Sequence, residues 1–230
     1  MIVQRAFSVE PWVIRETQVS LERLAQAESV FALSNGHIGL RGNLDEGEPY
    51  GMLGTYLGGV YEIRPLPYAE AGYGFPEDGQ TVVNVHDGKI LRLLVEDEPL
   101  DVRYGKLLSH ERVLDLRAGT LRRTLEWESP SGRGVRVTST RLVSFTQRAI
   151  VAIEYIVEPL DAAVRIALQS ELVANEPSET TDPDPRGGAA LRDPLTPEAA
   201  EVYDHSVVLV HRTRSSGLRV GAAMCHEIDG

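Results

Sequence analysis

The sequence has few lysines, few cysteines and no long apolar run, and each shortage excludes a class of function. Only two of the 230 residues are lysines and the formal net charge is −11, so we do not expect a surface that binds nucleic acid phosphates. The single cysteine, Cys225, excludes an internal disulfide and is compatible with a reducing cytoplasm. No apolar run approaches the ~20 residues of a membrane helix, and the first residues lack a signal peptide pattern. We expect a cytoplasmic protein that binds neither nucleic acid nor membrane.

Alternation of apolar and polar residues from Thr81 onward predicts β-strands. In TLRRTLEWE (120–128), every second position holds Leu, Arg, Leu or Trp, and these four side chains share one face of the predicted strand. Turn residues such as SPSGRG (129–134) separate these strands, and Asp87-Gly88 is a further hairpin signal. No strand–helix alternation is visible. The pattern predicts an all-β fold, a large antiparallel β-sandwich, as one domain over residues 1–230.

Two segments lack this alternation. Residues 58–80 are rich in Gly, Pro and Tyr and predict a long surface loop. Residues 174–200 hold five prolines and many acids, which predicts a mobile excursion between strands. The final residues, VGAAMCHEIDG, end where a strand does, which indicates a shortened polypeptide.

Three evenly spaced glycines, Gly36, Gly39 and Gly42, form the most distinctive local motif. The pattern G-x-x-G-x-x-G is not the dinucleotide fingerprint, and it lacks the Lys-Ser/Thr pair of a P-loop. Asn35-Gly36 is typical of a type I′ hairpin turn, and the later glycines indicate a bulge or close backbone packing. We interpret the motif as scaffold.

Titratable residues do not form a recognisable catalytic or metal-binding pattern. The acidic clusters that begin at Asp45 and Glu96 are interpreted as solvated hairpin tips, because adjacent carboxylates do not oppose each other across a bond as a glycosidase requires. The six histidines lack metal-ligand spacing, so we expect no metal and no cofactor. Cys225 lies in an apolar strand and is expected to be a small core residue.

Five stretches taken together resemble the N-terminal domain of glycoside hydrolase family 65, which contains trehalose, maltose and kojibiose phosphorylases and related trehalose hydrolases. They occur in the family's order over nearly the whole chain. The first, ESVFALSNGHIGLRGNLDEG, follows the family's pattern of aromatic-Ala/Ser-Leu, then Asn-Gly, then Gly-x-Arg-Gly. The five stretches are residues 28–47, 54–62, 112–129, 139–160 and 166–177.

The resemblance implies a galactose-mutarotase-like supersandwich followed, in the family, by an (α/α)6 barrel. The family's general acid and phosphate-binding residues lie in that barrel, so the resemblance assigns no catalytic residue to this chain. The complete enzyme is expected to cleave an α-glucosidic disaccharide with inversion, by phosphorolysis or hydrolysis, with inorganic phosphate as co-substrate if it is a phosphorylase. The expected partners are the barrel, the disaccharide and a second copy in a homodimer.

If any loop touches sugar, two regions are the candidates. Arg and Asn supply directional hydrogen bonds and aromatic faces stack on sugar rings. The alternative interpretation is that Arg41 is a packed structural arginine and that the tyrosines cover the barrel side. The candidates are Asn35, His37, Arg41, Asn43 and Asp45 at the polar tip, and Tyr61, Tyr68, Tyr73 and Phe75 in the Tyr-rich loop.

Two other functions are compatible with the sequence. The domain could be an autonomous carbohydrate-binding module, although only 6% of the residues are aromatic. It could also be a mutarotase-like sugar epimerase, which requires a His/Glu pair across a cleft. The candidates for such a pair are His86, His110 and Glu154, and nothing in their spacing singles them out.

Overall fold

The computed structural model describes residues 7–66, 73–160, 163–174 and 193–229. Strand accounts for 54% of the structure and helix for 5%, and the sheets are antiparallel, which confirms the predicted all-β sandwich fold. No helix in these described ranges is long and apolar enough to span a membrane. The strands are β1 (Ser8–Glu10), β2 (Val13–Glu16), β3 (Leu33–Ser34), β4 (Ile38–Leu40), β5 (Thr55–Leu57), β6 (Tyr61–Pro65), β7 (Asp78–Val82), β8 (Asp87–Val95), β9 (Glu98–Pro99), β10 (Lys106–Asp115), β11 (Thr120–Glu128), β12 (Gly134–Val143), β13 (Val151–Pro159), β14 (Ile166–Val173), β15 (Leu195–Tyr203), β16 (Ser206–Thr213) and β17 (Arg219–Cys225).

The chain divides into two compact units. The first comprises residues 1–52 and 89–171 and the second comprises 53–88 and 172–230. The first unit contains a six-stranded antiparallel sheet in the order β1-β2-β10-β11-β12-β13. The prediction that residues 1–230 form one domain stays a prediction.

The core of the first unit lies under one face of this sheet. Leu125 and Trp127 of β11 are buried beside Val135 and Val137 of β12, and Leu93 and Val95 of β8 pack against them. The predicted alternation therefore places every second residue of β11 inside. Trp127 is fully buried and its indole Nε1 donates to the carbonyl oxygen of Tyr104 at 2.6 Å, so its polar atom is satisfied.

The second unit contains the β6–β7 hairpin and a three-stranded sheet in the order β15-β16-β17. Glu62 on β6 is 2% exposed, and its carboxylate accepts hydrogen bonds from the backbone N–H groups of Ser215 and Ser216 at 2.8 and 2.7 Å. A buried carboxylate thus fixes the turn between β16 and β17.

Three sequence predictions about elements are corrected. Asp87 and Gly88 do not form a turn but begin β8, where a Cβ on Gly88 would contact Leu172 at 3.4 Å. The segment 58–80 is not one long loop, because β6 and β7 pair within it as a hairpin. The segment 174–200 ends in strand, since β15 begins at Leu195; residues 175–192 lie outside the described ranges.

Two smaller expectations also differ from the structure. Cys225, expected in the core, is exposed at the end of β17, because alternation along this strand turns its side chain outward. A short helix, α1 (Leu24–Val30), was not expected and follows a 3-10 turn at Leu21–Arg23. It buries Leu24 and Ala27 three residues apart, but seven residues are too few to give a clear helical period.

Candidate functional site

The glycine motif forms a hairpin whose turn is fixed by Asn35. The Asn35 Oδ1 atom accepts from the backbone N–H groups of His37 and Ile38, each at 2.9 Å. Its Nδ2 donates to the carbonyl oxygens of Ser144 and Arg148 at 2.6 and 2.9 Å. The hairpin prediction is confirmed, but the turn is not type I′: Gly36 has a positive φ of 84° while Asn35 does not. Both ends of the Asn35 side-chain amide therefore hold the hairpin in place.

His37 and Arg41 follow on the same segment but have different surroundings. The His37 imidazole is partly exposed, with its Nδ1 3.3 Å from the Arg148 guanidinium. Arg41 donates to the carbonyl oxygens of Met52 and Ala25 at 3.0 and 2.9 Å, and to the Ser29 hydroxyl at 2.9 Å. The guanidinium of Arg41 thus joins helix α1 to the 50–52 segment, as the structural interpretation expected.

Asn43 and Asp45 are buried rather than placed at a solvated tip. Asn43 is 4% exposed and donates to the carbonyl oxygen of Met52 at 2.9 Å. Asp45 is 2% exposed; it accepts from Arg141 Nε at 3.0 Å, Arg123 Nη1 at 3.1 Å and the Ser139 hydroxyl at 2.8 Å. Burial alone would raise the pKa of Asp45, but Arg141 and Arg123 outweigh it and lower this pKa to about 2.

Glu46 completes a group that we call the buried charge cluster: Asp45, Glu46, His110, Arg123 and Arg141. Arg123 donates to both Glu46 oxygens, at 2.5 and 2.8 Å, in the bidentate geometry of a strong ion pair. The solvated-tip interpretation is therefore wrong for Asp45 and Glu46. It holds for the second acidic cluster, where the Asp97 side chain is 90% exposed in the turn after β8.

His110 lies within the buried charge cluster as a neutral acceptor. Arg123 Nε donates to His110 Nε2 at 3.3 Å. Burial and the nearby Arg123 and Arg112 lower the pKa of His110 to about 3, so the ring is uncharged at neutral pH. Its Nδ1 has no hydrogen-bond partner among the described residues.

A second ion pair, between Arg112 and Glu16, lies in the same region. Arg112 is 2% exposed and donates to Glu16 at 2.7 and 3.1 Å and to the carbonyl oxygen of Gly42 at 2.7 Å. Its guanidinium lies over the Phe31 ring, 4.3 Å from the centroid. Each buried arginine of this region therefore has a buried carboxylate.

The sequence did not single out Arg112, Arg123 or Arg141. The available signal was an arginine on the apolar face of each predicted strand, because a buried arginine requires a partner. In the second unit, His86 and His211 also meet, with Nε2 and Nδ1 2.8 Å apart. Their separation of 125 residues gave no local signal.

The Tyr-rich candidates do not gather into a described site. Tyr61 lies on β6, partly buried, and its carbonyl oxygen accepts from the Ser216 hydroxyl at 2.6 Å. The side chains of Tyr73 and Phe75 are exposed, Tyr73 fully. Tyr68 lies outside the described residues.

The histidine and glutamate candidates for an epimerase do not form a pair. His86 belongs to the second unit and contacts His211. His110 is in the cross-strand row of Val137 and Val157, whereas Glu154 is in the row of Thr140 and is exposed on the opposite face of the sheet. No group of three His, Cys, Asp or Glu side chains in the described ranges could hold a metal ion.

The described strands thus form an all-β domain of antiparallel sheets, with a charge cluster buried beneath its six-stranded sheet. The family model described as "Glycosyl hydrolase family 65, N-terminal domain" matches residues 14–230 of this chain, and the chain therefore belongs to this family.

Similar proteins agree with the assignment. An uncharacterized glycosyl hydrolase of Mycobacterium tuberculosis is 62% identical over 229 residues, which is 100% of this chain and 29% of that protein. The α,α-trehalose phosphorylase of Thermoanaerobacter brockii is 38% identical over 227 residues, 95% of this chain and 29% of the phosphorylase. A solved structure named "Putative kojibiose phosphorylase from human microbiome" shares the fold with a TM-score of 0.83 at 23% identity, over 96% of this chain and 28% of that one. The chain thus spans less than a third of the length of these relatives.

Proposed function

We propose that this chain is the non-catalytic N-terminal domain of an enzyme that cleaves an α-glucosidic disaccharide by inverting phosphorolysis or hydrolysis. The observation that carries the proposal is the burial and pairing of Asp45 and Glu46, the adjacent carboxylates that follow the glycine motif. Both are buried and bonded to arginines. A general acid must hold a proton near the working pH, but the pKa of Asp45 is about 2. Asp45 therefore does not fit a general acid. Both carboxylates are held by arginines and maintain the fold, and we place catalysis elsewhere in the enzyme.

The names of the relatives point to α,α-trehalose as the disaccharide and to phosphate as the nucleophile. Two relatives named α,α-trehalose phosphorylase are 38% and 32% identical over 95% and 90% of this chain. Relatives named maltose or kojibiose phosphorylase match 77% of this chain or less. In phosphorolysis, a phosphate oxygen attacks the anomeric carbon while a carboxylic acid protonates the leaving sugar oxygen.

The proposal includes the partners and the setting of the domain. We place the catalytic barrel in the same polypeptide, with inorganic phosphate as co-substrate, no other cofactor, and a homodimer as the assembly. A cytoplasmic location accords with the lone cysteine. Contact with sugar stays a prediction for all the candidate residues. We propose it for His37, Tyr73 and Phe75, whose side chains are partly or fully exposed, and not for Asn35 and Arg41, whose side chains donate to backbone carbonyl groups.

The test compares this 230-residue chain with the longest polypeptide that its gene encodes. Each is incubated with trehalose, maltose or kojibiose, with and without inorganic phosphate, and released glucose and glucose 1-phosphate are measured. We expect no turnover by the chain alone. We expect phosphate-dependent cleavage of trehalose by the long polypeptide.

The outcomes separate the parts of the proposal. Glucose without glucose 1-phosphate would replace phosphorolysis by hydrolysis, and another cleaved disaccharide would replace trehalose. Turnover by the 230-residue chain would mean that catalytic groups lie in this domain, and the scaffold role would be wrong.

A further inference from the structure

The exposed face of the six-stranded sheet carries a groove of about 530 Å³ over β2, β10 and β11. This volume lies in the range of small-molecule sites. Strand pairing places Arg15, Val113 and Arg122 side by side in one cross-strand row. Val113 is therefore an apolar floor between two guanidinium groups. We call this feature the sheet groove.

Several polar side chains of the sheet groove have no hydrogen-bond partner among the residues that the structure describes. Ser109, Thr120 and Arg122 make no side-chain hydrogen bond in the part of the chain that the structure describes. Glu111, by contrast, accepts from Arg15 Nη1 at 2.6 Å. The groove therefore presents two hydroxyl groups and one guanidinium that are available to a ligand.

The charges along the sheet groove cancel. Arg15 and Arg122 are opposed by Glu111 and Asp115, so the four charged side chains sum to zero. An anion such as phosphate would meet two carboxylates, and a cation would meet two guanidinium groups. A neutral ligand with many hydroxyl groups can donate to the carboxylates and accept from the guanidinium.

We infer that the sheet groove binds a neutral oligosaccharide. The hydroxyl groups of such a ligand would bond to Arg122, Ser109 and Thr120, and the C–H face of a sugar ring would lie on Val113. The inference rests on the groove itself and does not depend on which disaccharide the enzyme cleaves. It assigns a sugar-binding surface to this domain.

The test is a titration of the isotopically labelled chain with maltoheptaose, followed by backbone amide NMR. We expect saturable shifts confined to residues of β10 and β11 that border the groove, with a dissociation constant in the millimolar range. An Arg122→Ala change should weaken binding about tenfold, because hydrogen bonds to a charged donor are lost. The matched control is Arg133→Ala, which removes an exposed arginine from the turn between β11 and β12, outside the groove.

Each alternative outcome would overturn the inference. The absence of saturable shifts with maltoheptaose or trehalose would show that the groove holds no sugar. Binding that Arg122→Ala and Arg133→Ala weaken equally would place the sugar elsewhere. Shifts produced at the groove by inorganic phosphate and abolished by salt, without shifts from sugar, would identify an anion site instead. None of these results depends on turnover, so they are separate from the test of the proposed function.

Discussion

At the scale of single residues, adjacent arginines on β11 have opposite roles. Arg123 is 4% exposed and is held by Asp45 and Glu46, whereas Arg122 is exposed and borders the sheet groove. The difference follows from the strand period of two, which turns neighbouring side chains to opposite faces. The same type of residue thus maintains the interior on one side and is free to bind a ligand on the other.

Arg123→Ala should destabilise the chain by about 3–5 kcal/mol, because it leaves the buried Glu46 without its arginine and removes one of the two arginines that hold Asp45. Arg122→Ala is a control one residue away and should change stability by no more than about 0.5 kcal/mol. Urea unfolding followed by the fluorescence of the buried Trp127 measures both variants. Equal stabilities of the two variants would contradict the assigned role of the buried charge cluster.

At the scale of elements, the β3–β4 hairpin depends on its glycines to different degrees. A Cβ on Gly42 would lie 2.7 Å from the Phe31 carbonyl oxygen, which no real contact allows. A Cβ on Gly39 would lie 3.7 Å from the Ser34 hydroxyl, an ordinary contact. The motif is therefore structural. Of these two glycines, Gly42 packs too closely against the backbone to accept a side chain, whereas Gly39 does not.

Gly42→Ala should cost about 1–3 kcal/mol through overpacking. It should also disturb Arg112, which donates to the Gly42 carbonyl. Gly39→Ala, in the same hairpin, should cost less than about 1 kcal/mol. Thermal unfolding of the two variants provides the comparison, and a larger loss for Gly39→Ala would show that this packing is misassigned.

At the scale of the whole molecule, stability should depend on pH through buried histidines. Burial lowers the pKa of His86 to about 4 and that of His110 to about 3, from a usual value of 6.5. Between the folded and usual values the unfolded chain binds more protons, so stability falls as pH drops below about 6.5. Asp45, with a pKa of about 2 against 3.8, adds a further loss as pH falls below about 4.

His110→Gln should flatten this dependence, because the amide oxygen can accept from Arg123 but does not titrate. Near pH 5 the slope of the unfolding free energy should fall by about 1.4 kcal/mol per pH unit, the value for one proton. Denaturant unfolding at a series of pH values measures the slope. Above pH 8 the slopes of wild type and variant should agree, since His110 is neutral in both states there. An unchanged slope at pH 5 would show that His110 is protonated in the folded protein.

Local sequence determined much of the fold. Strands β11, β12 and β13 were predictable because their alternation and the SPSGRG turn lie within one continuous stretch. Asp87-Gly88 misled because the dipeptide favours a turn only when its backbone adopts positive φ, and here it lies in a strand beside Leu172. Helix α1 was not predicted because its seven residues span only about two turns, which is too short to show a helical periodicity of apolar residues.

The sequence by itself determined an all-β protein of glycoside hydrolase family 65, because strand alternation and family motifs are properties of neighbouring residues. Only the tertiary structure decided that Asp45 and Glu46 are buried, since their partners Arg123 and Arg141 lie 77–96 residues away along the chain. The tertiary structure also decided that Arg122 and Arg15 border the same groove. Arg15 lies on β2 and Arg122 on β11, and β10 lies between these two strands in the sheet. Burial and charge pairing depend on contacts between strands distant in sequence, and no local pattern encodes them.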